Sequence, residues 1–386
     1  METLDTSIPT EIVPGVWLGD MKTATDQAFF VQNKIGSVLN CTPDVPFYFK
    51  DSGVKYYRIA VDDNLEKDQK LLMMHLLPFA VKWLYYQHDD RKGPQNNIFV
   101  HCHMGIQRSA AAIVAYLFHT RKKDLRFCIE YVIQKRPVAF NGGNNINFLE
   151  PLAAVCSPQK SSATLKKKVL VMGDSHAKIF IRCNLYTDQF AFDVSIVEGA
   201  TAQGCLNPNS VTNALNIFID TLKVLTTATK YDYIMIMLGE VDCGYLMWCR
   251  KDKYGTSLEE QVGKNTKNIF DFVGNYVRIY FQPEQIIITG SVLPTIKDNT
   301  DKRYLLGQRS SVNSSQLERT ELTLKYNEKL KKMACDCGYN YEDITEEILD
   351  KSTGIIGENF MNEDQYDHHL NHNTTYKLWL KKLEKY

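Results

Sequence analysis

The chain has 386 residues, with 45 lysines and arginines against 45 aspartates and glutamates, so its formal net charge at pH 7 is zero. This balance argues against a general polyanion binder and predicts no nucleic-acid partner. The hydrophobic fraction of 44% is typical of a globular protein, and the absence of an apolar run of about 18 residues predicts no membrane span.

The ten cysteines are not arranged in a metal-binding pattern. The polar start of the chain, residues 1–10, does not resemble a signal peptide. We therefore expect reduced thiols, no metal or other cofactor, and an intracellular, cytoplasmic location.

The first half of the chain alternates between strand-like and helix-like segments. Short apolar runs separated by turn residues predict strands and small helices over 11–61, and partial helical periodicity predicts a helix over 66–87. Residues 98–100 are apolar and predict a short buried strand. A helix rich in small residues is expected at 109–118, and apolar positions over 125–133 predict another helix that faces the core.

The loop between the buried strand and the small-residue helix carries Cys102, Gly105 and Arg108. Such a loop turns backbone N–H groups inward as a nest for an anion, and Gly105 gives its backbone the necessary freedom. Arg108 can bind two phosphate oxygens, and the positive surroundings are expected to make Cys102 a thiolate nucleophile. Ser109 can donate a hydrogen bond that helps the sulfur leave. The alternative is a structural cysteine beside a surface arginine.

The string His-Cys-x2-Gly-x2-Arg-Ser at 101–109 resembles the signature of the cysteine-dependent protein phosphatases, in particular the dual-specificity branch. The similarity extends over residues 8–152. It implies a dual-specificity-phosphatase-like α/β domain at 1–152, with a central mixed sheet flanked by helices. The other segments that resemble the family lie at 11–19, 35–42, 59–64, Arg136–Pro137 and Asn145–Phe148.

The resemblance implies a protein phosphatase that forms a cysteinyl-phosphate intermediate on Cys102. Phosphotyrosine is the expected substrate, with phosphoserine and phosphothreonine as further candidates. The leaving oxygen needs a proton, which an aspartate in a loop can donate. The family's pattern indicates Asp63, and the adjacent Asp62 is the alternative. His101 is expected to support the loop by hydrogen bonding. The expected substrate-binding residues are His103, Met104, Gly105, Ile106, Gln107 and Arg108.

Other functions remain possible on the same fold. An RNA 5′-phosphatase or a phosphoinositide phosphatase often has extra basic residues in this loop. Here the loop offers only His103 and Arg108, which favours a phosphorylated protein as the substrate. A non-catalytic phosphate-binding module is disfavoured because Cys102 and Arg108 are both present.

A segment rich in Ser, Pro and Lys at 153–167 precedes the second half of the chain, and we interpret this segment as a linker. Apolar, β-rich runs then alternate with longer helix-like segments over 168–386. This alternation predicts a parallel sheet covered on both faces. The expected strands are 169–172, 194–197, 233–238 and 286–289, and the expected helices include 209–226, 257–281 and 315–336.

Polar residues follow the expected strands of this second domain. Ligand sites in such sheets lie at the carboxyl ends of the strands. A serine on a strand–helix turn, with a distant Asp and His, is a candidate catalytic triad. The polar groups lie at Gly173–His176, Glu198–Ala200, Gly239–Cys243 and Asp367–Asn371.

The Gly-Asp-Ser opening of this half resembles the GDSL/SGNH hydrolase superfamily. The resemblance implies a flavodoxin-like α/β/α domain with esterase or deacetylase activity, which could be the main activity of the chain. It further implies Ser175 as the nucleophile, Gly199 as an oxyanion donor and His369 as the base.

Two positions depart from the SGNH pattern. Val241 stands where the family has an oxyanion asparagine, and Tyr366 stands where it has the acid that pairs with the histidine. Asp367 is the nearest candidate acid, and Asp364 is the alternative. His368 is a second candidate for the base.

Overall fold

The computed structural model divides the chain into two compact units, Met1–Ser162 and Ala163–Tyr386. The predicted linker at 153–167 overlaps both, because its first residues continue an apolar helix and its last begins a strand. Residues 157–165 of that linker, and Asn145 of the predicted closing segment, lie outside the described residues. The structure describes residues 6–64, 67–88, 97–141, 148–156, 166–305 and 307–386.

The first unit contains a five-stranded mixed sheet in the order β1-β2-β5-β3-β4. The first two strands are antiparallel and the other neighbours are parallel, which confirms the predicted mixed sheet. The central strand β5 is fully buried at Ile98, Phe99 and Val100, as expected for the middle of a covered sheet. The strands are β1 Thr10–Val13, β2 Val16–Gly19, β3 Ile35–Asn40, β4 Lys55–Arg58 and β5 Asn97–His101.

The helices of the first unit surround one buried helix, α3. Small side chains at 110–112 and 115 let α3 approach its neighbours closely, and it packs against α2, α4 and α5. Aspartate caps begin two of the other helices, because Asp26 and Asp124 each accept a backbone N–H of the first turn. The helices are α1 Gln27–Gln32, α2 Lys67–Gln87, α3 Arg108–Arg121, α4 Leu125–Lys135 and α5 Leu149–Cys156.

The second unit contains a five-stranded parallel sheet in the order β10-β9-β8-β6-β7. Counted along the chain, this is the flavodoxin-like order 2-1-3-4-5, whose switch point lies between β6 and β8. The parallel sheet confirms the prediction, although the short edge strand β10 was not expected. The strands are β6 Lys167–Gly173, β7 Phe190–Ile196, β8 Tyr233–Met237, β9 Ile286–Thr289 and β10 Asn340–Glu342, with a small pair at β11 Leu349–Asp350 and β12 Ile355–Ile356.

The helices of the second unit differ from the predictions mainly at their ends. The expected helix at 209–226 starts later, because Asn213 has a left-handed φ of +55° and precedes the first turn. The expected helix at 257–281 ends as the π-helical segment Val273–Val277. No described helix is both long and apolar enough to cross a bilayer. The helices are α6 Ile179–Cys183, α7 Ala214–Ala228, α8 Met247–Tyr254, α9 Leu258–Phe272, α10 Gln316–Asp336, α11 Thr345–Ile348 and α12 His372–Leu383, with a π-helical segment at Asp242–Leu246 before α8.

Candidate active site

The loop that joins β5 to α3 has a shape that requires glycine. Gly105 has φ +66°, and a Cβ atom there would lie 2.5 Å from the carbonyl oxygen of Gly19. Arg136 holds the loop from its other side, because its Nε donates to the carbonyl oxygen of Gly105 at 3.0 Å. The same guanidinium donates to the carbonyl oxygens of Thr6 and Ile8, at 2.8 and 2.6 Å. One buried arginine therefore ties the loop to the start of the unit.

Cys102 lies at the base of this loop and is 1% exposed. Its Sγ accepts a hydrogen bond from the Ser109 hydroxyl at 3.1 Å. Burial by itself would raise the pKa of the thiol. The positive charge of Arg108 and the hydrogen bonds from Ser109 and the Gly105 backbone outweigh burial, so the pKa of Cys102 lies below its ordinary value. This environment favours the thiolate.

Arg108 is completely buried and connects the loop to the segment after β4. Its Nη1 donates to the carbonyl oxygen of Val61 at 2.8 Å, and its Nη2 donates to Asp63 Oδ2 at 3.3 Å. The Nε of Arg108 is buried and has no hydrogen-bond partner in the part of the chain that the structure describes. Asp62 is exposed, and its backbone N–H donates to Gln69 Oε1 at 2.8 Å. Of the two candidate acids, Asp63 is therefore the one that contacts Arg108.

The remaining loop residues form the mouth of the site. His103 Nε2 lies 2.8 Å from Asp44 Oδ1. Although partial burial would raise the pKa of Asp44, the hydrogen bond and charge of His103 outweigh it and lower that pKa. Met104 is 49% exposed and Ile106 is half-buried. Gln107 is buried, and neither its amide oxygen nor its amide nitrogen has a partner among the residues described. The mouth thus presents an imidazole already paired with a carboxylate.

His101 precedes the cysteine and is fully buried. Its ring stacks on Phe99, with 5.5 Å between centroids, and its Nδ1 lies 3.4 Å from the carbonyl oxygen of Cys102. Burial lowers the pKa of His101 to about 3, so the ring is neutral at pH 7. The expected support of the loop therefore includes stacking as well as one long polar contact.

A second polar cluster lies at the switch point of the second unit. Asp174 Oδ1 lies 3.1 Å from His176 Nδ1, and Glu240 Oε2 accepts from Arg309 Nη2 at 2.8 Å. Burial would raise the pKa of Glu240, but Arg309 and nearby histidines lower it to about 2. Burial would lower the pKa of His176, but the carboxylates of Glu240 and Asp174 outweigh burial and raise it.

The segment before α12 brings part of the predicted triad together. Asp367 Oδ1 lies 2.6 Å from His369 Nδ1. Asp364, the alternative acid, accepts a backbone N–H of its own turn instead. Ser175 is buried and Gly199 lies in the turn after β7, with φ +68°. Within the described part of the chain, neither residue is joined to His369 by a hydrogen bond.

Several residues of these sites were not assigned a role from the sequence. Asp44 lies 59 positions before the loop imidazole that it binds, and Arg309 lies 69 positions after Glu240. No local pattern marks either pair. Glu240 closely follows an apolar strand, and a buried carboxylate needs a cation beside it. This position was the one feature of the sequence that could have indicated a buried ion pair. Arg136 was expected in the closing segment, without its role as an anchor of the loop.

Comparison with known proteins agrees with the geometry of the first unit. Residues 16–155 match the family model described as dual specificity phosphatase, catalytic domain. Dual specificity protein phosphatase Mpk3 of Drosophila melanogaster is 32% identical over 146 residues, which cover 37% of this chain and 33% of that protein. Human dual specificity protein phosphatase 6 is 29% identical over 147 residues, which cover 38% and 36%. The crystal structure of human DUSP28 is 24% identical and aligns with a TM-score of 0.32, over 38% of this chain and 91% of that one.

The first unit thus belongs to a known class of domain. The fold is a mixed sheet with a phosphate-binding type of loop at the end of its central strand. Residues 16–155 are a dual-specificity-phosphatase catalytic domain. The chain spans about a third of the length of the curated relatives it matches. The resemblance of the second unit to SGNH hydrolases stays a prediction.

Proposed function

We propose that the first unit hydrolyses phosphate monoesters on proteins, at phosphotyrosine and also at phosphoserine and phosphothreonine. The observation that carries this proposal is the buried Nε of Arg108, which has no partner among the described residues and belongs to the group that lowers the pKa of Cys102. An unmatched buried donor costs about 1–3 kcal/mol. A phosphoryl oxygen that accepts from this nitrogen would recover that cost.

The first chemical step transfers the phosphoryl group to sulfur. The Cys102 thiolate attacks phosphorus, the S–P bond forms, and the bond from phosphorus to the leaving oxygen breaks. Asp63 donates its proton to that oxygen. The guanidinium of Arg108 and the backbone N–H groups of 103–108 stabilise the charge on the non-bridging oxygens. The 3.3 Å contact between Asp63 and Arg108 supports this role, because it places the Asp63 carboxyl group beside the guanidinium that would hold the phosphoryl group.

The second step releases phosphate. A water molecule attacks the cysteinyl phosphate, Asp63 accepts the proton of that water, and the S–P bond breaks. The sulfur leaves as a thiolate, which the Ser109 hydroxyl stabilises by donating a hydrogen bond. The 3.1 Å distance between Ser109 Oγ and Cys102 Sγ supports this role.

A phosphorylated protein is the substrate class that the mouth of the loop favours. His103 is occupied by Asp44 and Met104 presents an apolar surface, so the described residues of the mouth do not form the row of free cations that suits a polyanion. The curated relatives are named protein phosphatases. RNA 5′-phosphatase and phosphoinositide phosphatase activity are the competing assignments.

Turnover of p-nitrophenyl phosphate by the intact chain tests the proposed function. We expect Cys102→Ser to abolish turnover, because a hydroxyl has too high a pKa to replace the thiolate. Cys128→Ser is the matched control: its thiol is buried in α4 and its pKa is raised, so activity should remain. Circular dichroism checks that both variants fold. Turnover that survives in Cys102→Ser contradicts the mechanism.

Release of inorganic phosphate, measured for each compound in turn, separates the candidate substrates. A phosphotyrosyl peptide, an inositol polyphosphate and an RNA with a 5′-triphosphate are offered at equal concentrations. We expect the highest kcat/KM for the peptide. A higher value for either of the other two assigns the first unit to that competing activity.

We also propose an intracellular location. All ten cysteines are free thiols. A thiolate nucleophile is readily oxidised, so it keeps its activity best in a reducing compartment.

An SGNH-type hydrolase is the finer interpretation of the second unit. The flavodoxin-like strand order and the Asp367–His369 contact support it. A serine triad also requires the Ser175 hydroxyl to be hydrogen-bonded to His369 Nε2. Within the described residues that nitrogen has no partner. We therefore do not propose ester hydrolysis as the main activity.

A further inference from the structure

Three histidines converge at the switch point of the second sheet. The ligand atoms of His176, His368 and His369 all lie within 4.8 Å of one another. The ring centroids of His368 and His369 are 4.0 Å apart, and those of His176 and His369 are 4.7 Å apart. Imidazole is a preferred ligand of zinc and related transition metals.

Two of these rings are oriented by carboxylates. Asp174 contacts Nδ1 of His176 at 3.1 Å, and Asp367 contacts Nδ1 of His369 at 2.6 Å. An ionised carboxylate only accepts, so each Nδ1 carries a hydrogen and each Nε2 is directed away from its carboxylate, with a free lone pair when the ring is neutral. This carboxylate–histidine arrangement is the usual outer support of a metal-binding imidazole.

One nitrogen directed into the cluster has no partner. His369 Nε2 is buried and, among the described residues, has no hydrogen-bond partner. His176 Nε2 lies 3.4 Å from the carbonyl oxygen of His368, to which it donates only when the ring carries both hydrogens. Buried polar atoms normally find partners, so the unpartnered His369 Nε2 needs an explanation. A cation between the rings would satisfy it and would take the place of the second hydrogen on His176.

The charges around the rings also favour a cation. Asp174, Glu240 and Asp367 lie beside the cluster. The nearest cations are already committed, because Arg309 pairs with Glu240 and Lys178 pairs with Glu198. Each of these carboxylates would also stabilise a metal ion between the rings by its negative charge.

We propose that His176, His368 and His369 bind one divalent transition metal ion of the zinc class. Asp174 and Asp367 hold the rings in orientation, and a fourth position stays open for water or a small anion. In a tetrahedral zinc site neighbouring nitrogens are about 3.3 Å apart, so ligand atoms that now lie within 4.8 Å of one another must close by up to about 1.5 Å.

Zinc titration of the full chain tests this site. The chain carries Cys102→Ser and Cys335→Ser, so that the active-site thiol and the exposed Cys335–Cys337 pair do not contribute zinc sites. After chelation and dialysis, zinc is titrated in competition with a chromophoric chelator. We expect one equivalent to bind. We expect His369→Gln to weaken binding by about 100-fold or more, and Asp367→Asn by about 10-fold to 100-fold.

The matched control is His372→Gln, which removes a neighbouring half-buried imidazole outside the cluster. Its zinc affinity should stay within a few-fold of the parent chain. Cobalt serves as a second measurement that needs no variant, because nitrogen ligation in a tetrahedral site gives strong visible absorption. The proposal is overturned if no equivalent of zinc binds, or if His372→Gln and His369→Gln weaken binding equally.

The triad interpretation makes a different prediction. If His369 serves Ser175, the chain turns over p-nitrophenyl acetate without metal, and Ser175→Ala abolishes that turnover. This result, together with no zinc binding, replaces the metal site with the hydrolase. Neither result depends on phosphate turnover by the first unit.

Discussion

Cys102 of the first unit and His176 of the second unit occupy equivalent places in their folds. Each follows the carboxyl end of a parallel strand, on a turn that leads into helical backbone. His368 and His369 approach His176 from the segment before α12. In the first unit, a guanidinium and backbone N–H groups surround the Cys102 thiol. In the second, Asp174 and Asp367 stand behind the imidazoles. The same position in a sheet can thus favour an anion or a cation, depending on which side chains complete it.

Replacement of the Arg108 guanidinium should have the largest effect, because it removes the group that would make the first site favour an anion. We expect Arg108→Lys to lower kcat/KM for p-nitrophenyl phosphate by about 1000-fold, because an ammonium group keeps the charge but not the planar fork. Steady-state kinetics at neutral pH measure the effect. Arg126→Lys, on the exposed face of α4, is the control and should be neutral. Full activity in Arg108→Lys would contradict the proposed role of the fork.

The second unit should respond most strongly to loss of its buried ion pair. Glu240→Gln leaves Arg309 without its carboxylate, and breaking a mostly buried pair costs about 3 kcal/mol. Urea unfolding followed by tryptophan fluorescence can report this, since Trp248 and Trp379 lie in this unit. Glu198→Gln breaks the more exposed pair with Lys178 and should cost much less. Equal costs for the two variants would show that burial does not govern these pairs.

Replacing the proposed general acid, Asp63, tests whether contact with Arg108 identifies the catalytic carboxylate. We expect Asp63→Asn to lower kcat by about 100-fold for phosphotyrosine, whose phenol is a poor leaving group, because the leaving oxygen loses its proton donor. Asp62→Asn is the matched control and should retain most activity. The opposite ranking of the two variants would move the acid to Asp62.

The smallest expected effect concerns the thiol. Removing the Ser109 hydroxyl takes a hydrogen bond from the Cys102 sulfur, so Ser109→Ala should raise the pKa of the thiol by about one unit. The thiolate then forms at higher pH, and the pH profile of iodoacetamide alkylation shifts upward. Ser37→Ala, at a buried hydroxyl distant in sequence, is the control. An unchanged or lowered alkylation midpoint would contradict the proposed stabilisation of the thiolate.

The sequence predicted the site best where its functional residues are close together along the chain. The spacing of Cys102, Gly105 and Arg108 on a strand–loop–helix is local, so the loop and the start of α3 could be predicted together. The choice between Asp62 and Asp63 needed the structure, because it depends on which side chain reaches an arginine 45 positions away.

Prediction from sequence was poorest where distant segments meet. His176 and His368 are 192 positions apart. Their two segments were expected to meet as a serine triad through the SGNH resemblance, but the convergence of three imidazoles was not predicted. Arg309 lies in a stretch without periodicity, so its pairing with Glu240 had no local signal. The short strand β10 is half-buried and polar, and such a segment looks the same as a loop in sequence.

Arg136 couples the leading segment of the first unit to the loop that carries Cys102. Its guanidinium joins the carbonyl oxygens of Thr6 and Ile8 to that of Gly105. A protease cut or a binding partner that displaced these early residues would remove two of the acceptors that hold the guanidinium in place. We expect the loop to be held less firmly in that case, although the residues proposed to touch phosphate would be unchanged.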